Sequence, residues 1–355
     1  MMKILNERLG RMVVILVLIG CSFSSKGFAS NPDTQKSIFD LMYYTQVLQL
    51  ELETDVENLQ NNRRFDEEQK ASLMFKDENG QERYWDLKVS IRGNYRRINC
   101  SEMPPLKLNF KKSALKEAGL ADFDDLKLVT YCISDRQDAY DLLMREYLAY
   151  KMFNELTENS FRVQLLRITY KDSNTGKKTK QWAFLIEDTA QLTHRTNSKV
   201  CDTCINSGLE AFHQESAKLV GIFQYLIGNS DWDIHAGRNV KFIMKNGSII
   251  PVPYDFDFSG LVNAPYAIPN PNYEMKFVRD RIYLGFEQQL QNIHAILFYL
   301  EGKKEDLLEM VENFKYLSAD SRYDMMKYME SYFVHMDDIE LGKKRPVTRI
   351  NTVSP

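Results

Sequence analysis

Short runs of alternating apolar and polar residues fill the first half of the chain, and this period of two predicts β-strands with one buried face. Turn-forming residues separate the runs, and Asp77-Glu78-Asn79-Gly80 predicts a hairpin between two of them. The predicted strands are Leu48–Thr54, 71–75, 84–92, Leu106–Phe110, 126–131, 161–170 and 181–187. We therefore expect this half to consist mainly of β-structure.

Helical spacing of apolar residues occurs in three longer regions. Arg136–Leu156 predicts one long helix, residues 208–227 predict a second, and residues 287–339 are predicted to be mostly helical. Gly228 follows the second helix, at a position where a residue with positive φ commonly ends the last turn. The second half is thus predicted to be mainly helical.

A hairpin interrupts the helical half. Residues 240–244 and 249–254 are apolar runs joined through an Asn-Gly pair, a strong hairpin signal because both residues tolerate positive φ. If the second strand runs on to Phe258, Asp255 and Asp257 point to the same face, roughly 6–7 Å apart. Two carboxylates so placed favour a shared cation or an arginine or lysine partner, and a hard divalent ion bound through oxygen is the natural candidate.

More acidic and amide groups precede the hairpin. Asp231, Asp233 and Asn239 lie in the loop after the second predicted helix. Enzymes of phosphoryl transfer have their site residues in the same order: a loop Asp, an Asn, a pair of strands and a second Asp. In those enzymes the first Asp orients the attacking hydroxyl, and the Asn and the second Asp hold Mg²⁺.

This stretch resembles the spore coat protein H (CotH-like) kinase family, whose pattern runs Asn-x-Asp-Arg-His-x-x-Asn, a hairpin, then Pro-Trp-Asp-x-Asp. The matching segments read Asn229-Ser230-Asp231-Trp232-Asp233-Ile234-His235 with Asn239, and Pro253-Tyr254-Asp255-Phe256-Asp257. The chain is more similar still to a group of envelope proteins of unknown function with Asn-Thr-Asp-Trp and Pro-Tyr-Asp-Phe-Asp-x-Ser-Gly-Leu-Val-Asn, which match residues 229–232 and 253–263.

The resemblance implies an α+β, two-lobed protein-kinase-like fold. Residues 31–188 would form an antiparallel-sheet N-lobe that binds a nucleotide, and residues 189–341 a mostly helical C-lobe with the catalytic loop and the metal-binding hairpin. The implied cofactors are Mg²⁺ or Mn²⁺ and ATP or another nucleotide.

The same resemblance assigns roles to the polar residues of the C-lobe. Asn239, Asp255 and Asp257 would hold the metal, and Asp231 or Asp233 would be the catalytic base. The family separates its Asp and Asn by five residues, whereas Asn239 lies six after Asp233 and eight after Asp231. The match to the envelope group favours Asp231, with Asp233 as the competing candidate.

Three residues of the first half are candidates for nucleotide binding under this resemblance. Arg92 opens an Arg-Gly-Asn segment, and Lys107 alternates with Leu106 and Leu108, which makes it the candidate phosphate-binding lysine. Glu146 lies on the long predicted helix and would pair with that lysine. The alternative for Lys107 and Glu146, as for Arg96 and Arg97, is that they are solvated charges. The sequence has no Gly-x-Gly-x-x-Gly loop and no Walker sequence, so nucleotide binding is implied by the resemblance alone.

Residues 1–30 are predicted to be a signal peptide, because Arg8 and Arg11 precede an apolar run too short to span a bilayer. A lipobox-like segment would place a lipid anchor on Cys21, whereas Gly27-Phe28-Ala29 resembles a signal-peptidase I site. Either way we expect export, to the periplasm or as an outer-membrane lipoprotein of a Gram-negative bacterium. Residues 342–355 are predicted to be a flexible tail.

The formal net charge of −3 shows no basic excess, which argues against a nucleic-acid partner, and we expect a monomer. Cysteines of an exported protein are interpreted first as disulfides. Cys201 and Cys204 therefore predict a local disulfide rather than a zinc or redox site, while Cys100 and Cys132 could bridge two predicted strands.

Three functions are consistent with these features. The first is an exported atypical kinase that transfers a phosphoryl group from a nucleotide to a protein or envelope hydroxyl. The second is a catalytically silent envelope protein of the same fold that binds a partner. The third is a metal-dependent hydrolase that uses Asp231, Asp233, His235 and Asp255.

Overall fold

The computed structural model describes residues 35–65, 67–93, 97–98, 103–130 and 135–336. The predicted signal peptide, the Cys21 anchor, Cys100, Cys132 and the predicted tail lie outside these ranges and stay predictions.

Seven strands form a closed barrel. They are β1 Leu48–Thr54, β2 Gln69–Lys76, β3 Glu82–Ile91, β4 Leu106–Phe110, β5 Asp125–Val129, β6 Val163–Asp172 and β7 Lys178–Ile186. Their order around the barrel is β1-β2-β3-β4-β5-β7-β6, and β6 returns to pair in parallel with β1, with Leu50 opposite Ile168. The other barrel pairs are antiparallel. Alternation along each strand sends one set of side chains inward, and Leu52, Leu73 and Leu108 are buried there.

The predicted two-lobed kinase-like fold with an antiparallel-sheet N-lobe is wrong, because these strands close into a barrel. The individual strands were predicted within a few residues of their observed bounds, but the closing pair joins segments more than 100 residues apart. Local alternation fixes which side chains face inward and does not specify which two edge strands meet.

The described helices lie before and between the barrel strands in sequence and in the second half of the chain. They are α1 Ile38–Met42, α2 Val56–Asn61, α3 Lys112–Glu117, α4 Arg136–Leu156, α5 Thr189–Arg195, α6 Gln214–Leu226, α7 His294–Gly302, α8 Lys304–Glu312 and α9 Ala319–Val334, with 3₁₀ helices at Leu209–Ala211 and Glu287–Asn292. The bounds of α4 match the prediction. The helix predicted at 208–227 begins later, at Gln214, because the His213 ring accepts the Ser216 N–H and caps it.

A second core forms outside the barrel. Outward-facing residues of β6 and β7, such as Leu165 and Phe184, pack with Leu148 and Met152 of α4 and Phe223 of α6. The long helix α4 is therefore held between the barrel and the C-terminal helices, and its buried residues are fixed in position.

The predicted hairpin is confirmed. Strands β9 Val240–Lys245 and β10 Ser248–Pro253 pair antiparallel, and the turn places Asn246 and Gly247 at φ of 51° and 79°. A short strand, β8 Lys199–Val200, extends this sheet. The predicted local disulfide joins Cys201 to Cys204. In the part of the chain that the structure describes, no helix is long and apolar enough to cross a membrane.

Candidate functional site

Three carboxylates converge where α4 passes the end of the hairpin. One carboxylate oxygen each from Glu146, Asp255 and Asp257 lies within 4.8 Å of the others. Glu146 is 2 % exposed and Asp257 is 4 % exposed, while Asp255 is partly buried. Negative charges so close together repel strongly in a buried setting, and a hard divalent cation relieves that repulsion.

The backbone around Asp255 differs from the prediction. Strand β10 ends at Pro253 and does not run on to Phe258, because Asp255 takes up a left-handed conformation with φ of 65°. Its N–H donates to the hydroxyl of Tyr150 on α4, at 2.8 Å. The turn rotates Phe256 into the core and leaves Asp255 and Asp257 directed toward Glu146. The two carboxylates thus meet through a tight turn and not through strand alternation.

A second acidic group comes from the loop after α6. Asn239 donates through its amide nitrogen to the backbone oxygen of Asp231, at 2.6 Å, and to its carboxylate, at 3.1 Å. Arg238 lies 3.6 Å from the same carboxylate. Burial raises the pKa of the Asp231 carboxyl; Arg238 opposes this rise and the nearby Asp257 adds to it. Asp231 is therefore an electrostatic neighbour of the carboxylate cluster.

Two glycines hold this loop against the turn after the hairpin. Gly260 donates its N–H to the carbonyl of Gly228 at 3.0 Å, and a Cβ at either position would collide with the hydroxyl of Tyr328. Gly228 also has φ of +63°, as the sequence predicted for the end of the helix. This close approach brings the loop with Asp231 beside the segment with Asp257.

Asp233, the competing candidate for the base, has a structural task in the loop. Its carboxylate accepts the N–H groups of His235 and Ala236 at 2.8 and 2.9 Å, and its backbone pairs with Arg238. Such an Asx turn stabilises the loop locally. Asp231, by contrast, is linked electrostatically to the carboxylate cluster through Asp257.

A cationic side chain is linked electrostatically to the cluster through Asp255. The ammonium group of Lys127 on β5 lies 5.6 Å from the ring centre of Phe161 and 5.5 Å from that of Tyr254. Burial, and next the neighbouring Arg92, lower the pKa of Lys127 to about 8, while Asp188 and Asp255 act to raise it. Arg92, proposed from the sequence, thus lies in the same electrostatic neighbourhood as Asp255.

Lys107, the lysine predicted from the sequence to bind phosphate, is engaged in an ion pair. Its ammonium group forms a 2.8 Å ion pair with Asp125, and this pair is the first cause of the raised pKa of Lys107. Lys107 lies directly opposite Lys127 in the β4–β5 register, so the two side chains leave the same face of the sheet. The sequence signal that singled out Lys107, a lysine between two buried leucines, is equally present at Lys127, which sequence reasoning missed.

Two arginines that follow the hairpin serve packing. Arg279 forms a 2.6 Å ion pair with Asp324, and Arg281 donates to Ser331 and to the backbone of Tyr328. Both guanidinium groups also lie over the Tyr328 ring. These contacts anchor α9 below the two glycines.

Comparison of the sequence with protein-family models and with curated proteins found no match. The CotH-like resemblance therefore stays a prediction.

Proposed function

We propose that the chain binds a divalent cation and the phosphates of a nucleotide at this site, and transfers a phosphoryl group to a hydroxyl of a protein or cell-envelope molecule. The observation that carries the proposal is the convergence of Glu146, Asp255 and Asp257 within 4.8 Å, with Lys127 close enough for Asp255 to act on its pKa. A ligand made of a metal ion and phosphates requires acidic groups to bind the metal and basic groups to bind the phosphates.

The donor set fits Mg²⁺ or Mn²⁺. All three groups offer carboxylate oxygens, the ligands that these hard cations prefer, and no described histidine or cysteine belongs to the cluster. Glu146, Asp255 and Asp257 would hold the cation through their carboxylate oxygens. The amide nitrogen of Asn239 is hydrogen-bonded to Asp231, so Asn239 would offer its amide oxygen as a further ligand. When bound, the cation would neutralise charge on the phosphate oxygens.

Lys127 and Arg92 would bind the phosphates of the nucleotide. Arg92 disfavours the charged form of Lys127, and a phosphate anion placed between them would reverse that effect. A lysine with a pKa of about 8 is still mainly protonated at neutral pH, so it can attract phosphate. Lys127 thereby replaces Lys107 as the candidate phosphate-binding lysine.

Asp231 would accept the proton of the attacking hydroxyl. Its raised pKa brings the carboxyl closer to the range in which a general base works. The amide of Asn239 fixes its orientation.

The test is a thermal-shift measurement with ATP, with Mg²⁺ and with both, followed by transfer of the labelled γ-phosphate to a cell-envelope fraction. Ligand binding raises stability by mass action, by about 2.7 kcal/mol at a hundredfold excess over Kd. We expect a shift and label transfer with both ligands, loss of both in Asp255→Asn, and retention in the exposed control Asp86→Asn. The proposal is overturned if no nucleotide shifts the melting temperature. Release of labelled phosphate with no label on the envelope fraction would overturn phosphoryl transfer and indicate hydrolysis.

A further inference from the structure

A large cavity lies between the segment that precedes α6 and the segment that leads into the 3₁₀ helix Glu287–Asn292. It measures about 1160 Å³, and residues 206–210 and 283–288 supply most of its wall. Sites for small molecules commonly measure about 300–1,000 Å³. The cavity therefore has room for several side chains of a peptide.

The wall of this cavity is acidic. Glu210 and Glu287 are exposed, Asp233 is half-buried, and each contributes a carboxylate. No lysine or arginine is among the lining residues that the structure describes. Such a wall attracts cationic groups and repels anions.

The carboxylate of Glu210 is available for a cation. It lies directly over Gly208, another lining residue, at a position where a Cβ would collide with it. The side chain of Glu210 forms no hydrogen bond or ion pair with the other residues that the structure describes. Tyr273 and Tyr283 also line the cavity and are partly exposed. Aromatic faces attract ammonium and guanidinium groups and pack against their aliphatic stems, so the wall suits lysine and arginine side chains.

The chain has a segment of matching charge beyond its described residues. Residues 341–355 hold Lys343, Lys344, Arg345 and Arg349 and no acidic side chain, a formal charge of +4, whereas the whole chain has a formal charge of −3. The opposite charges of this segment and of the cavity wall favour their association.

This basic segment follows the end of α9 closely enough to reach the cavity. Tyr332, near the end of α9, packs on Tyr225, near the end of α6, with 6.1 Å between ring centres. Gln214, the first residue of α6, lines the cavity about 17 Å along the helix axis from Tyr225. The chain from Met336, the last described residue, to Lys343 can span about 23 Å.

We propose that Lys343, Lys344 and Arg345 dock into this cavity of the same chain, with their cationic groups against the carboxylates of the wall. Docking ties the end of α9 to the loop that carries Asp233. The interaction uses a surface apart from the Glu146, Asp255 and Asp257 cluster, and it forms whether or not the chain transfers phosphate.

Trypsin cleavage of the full chain tests this proposal, because trypsin cuts after lysine and reaches a docked segment only when that segment is released. Mass spectrometry follows the rate of cleavage after Lys343 and Lys344, and a synthetic peptide of residues 337–355 is the undocked reference. We expect these bonds to be cut at least about tenfold more slowly in the chain than in the peptide, at every protein concentration.

Variants locate the docking. Glu210→Lys and Gln288→Lys each change an exposed side chain of the wall, and each should raise the cleavage rate at least about threefold, because repulsion replaces attraction. Glu117→Lys changes an exposed residue of α3 that does not line the cavity, and it should leave the rate unaltered.

Three results would overturn the proposal. The first is a parent chain that is cut as fast as the peptide, and the second is either wall variant being cut as slowly as the parent. The third is protection that grows with protein concentration, which would place the segment in the cavity of a second copy of the chain.

Discussion

Replacing Lys127 with methionine should stabilise the free protein, although it removes the side chain that we assign to phosphate binding. Burial and the nearby guanidinium group of Arg92 disfavour the charged form of its ammonium group. Methionine has a similar length and no charge, so Lys127→Met keeps most of the packing and removes the buried charge.

The magnitude follows from the pKa. The value falls from 10.5 to about 8, and a difference of one pH unit corresponds to about 1.4 kcal/mol. The charged lysine therefore destabilises the folded state by about 3 kcal/mol at neutral pH. Its two ring contacts offset about 1–2 kcal/mol of this. We expect Lys127→Met to raise the free energy of unfolding by about 1–2 kcal/mol at pH 7.

The pH dependence gives the sharper assay. Because the folded pKa lies below the unfolded one, the unfolded chain binds more protons between about pH 8 and 10.5, and the parent chain gains stability as pH rises through that window. Urea unfolding at pH 7 and 9.5 should show the advantage of Lys127→Met shrinking by about 2 kcal/mol.

Lys107→Met is the matched control for this assay. Lys107 lies opposite Lys127 on the same face, but its ammonium group is ion-paired and its side chain is 40 % exposed. Loss of a surface pair of this kind costs about 0–1 kcal/mol, and we expect the same small loss at both pH values. The reasoning is refuted if Lys127→Met destabilises the chain at pH 7, or if its difference from the parent does not change with pH.

Further predictions concern the ligands. Nucleotide affinity should fall as pH rises above about 8, where Lys127 loses its proton, and this fall should be absent in Lys127→Met; calorimetry at pH 7 and 9 measures both. Asp231→Asn should abolish phosphoryl transfer while Asp233→Asn retains most of it, because asparagine also forms Asx turns; equal losses would remove Asp231 as the base. Asp255→Gly should relieve the strain of the left-handed backbone conformation and raise the free energy of unfolding in urea by up to about 1–2 kcal/mol, while Mg²⁺ binding is lost. A large destabilisation would contradict this.

Local features of the site could be predicted from the sequence. The Asn-Gly turn, the positive φ of Gly228 and the helix of Glu146 each depend on neighbouring residues, and the structure has all three. Polar residues concentrated in a mostly apolar stretch also identified Asp255 and Asp257 as candidates.

Features that depend on distant parts of the chain could not be predicted from the sequence. Barrel closure requires β1 to meet β6, and no residue of β1 encodes that partner locally. The choice between Lys107 and Lys127 depends on what covers each side chain, and Phe161 and Tyr254, which cover Lys127, come from other elements. The turn at Asp255 is set by the Tyr150 hydroxyl from α4, more than 100 residues earlier.

The proposal that Glu146, Asp255 and Asp257 hold one divalent cation is tested most directly by crystals grown with Mn²⁺ and measured for anomalous scattering. The predicted result is a single strong peak within about 2.5 Å of a carboxylate oxygen from each of the three residues. A peak at another place, or none among these oxygens at saturating Mn²⁺, would contradict it.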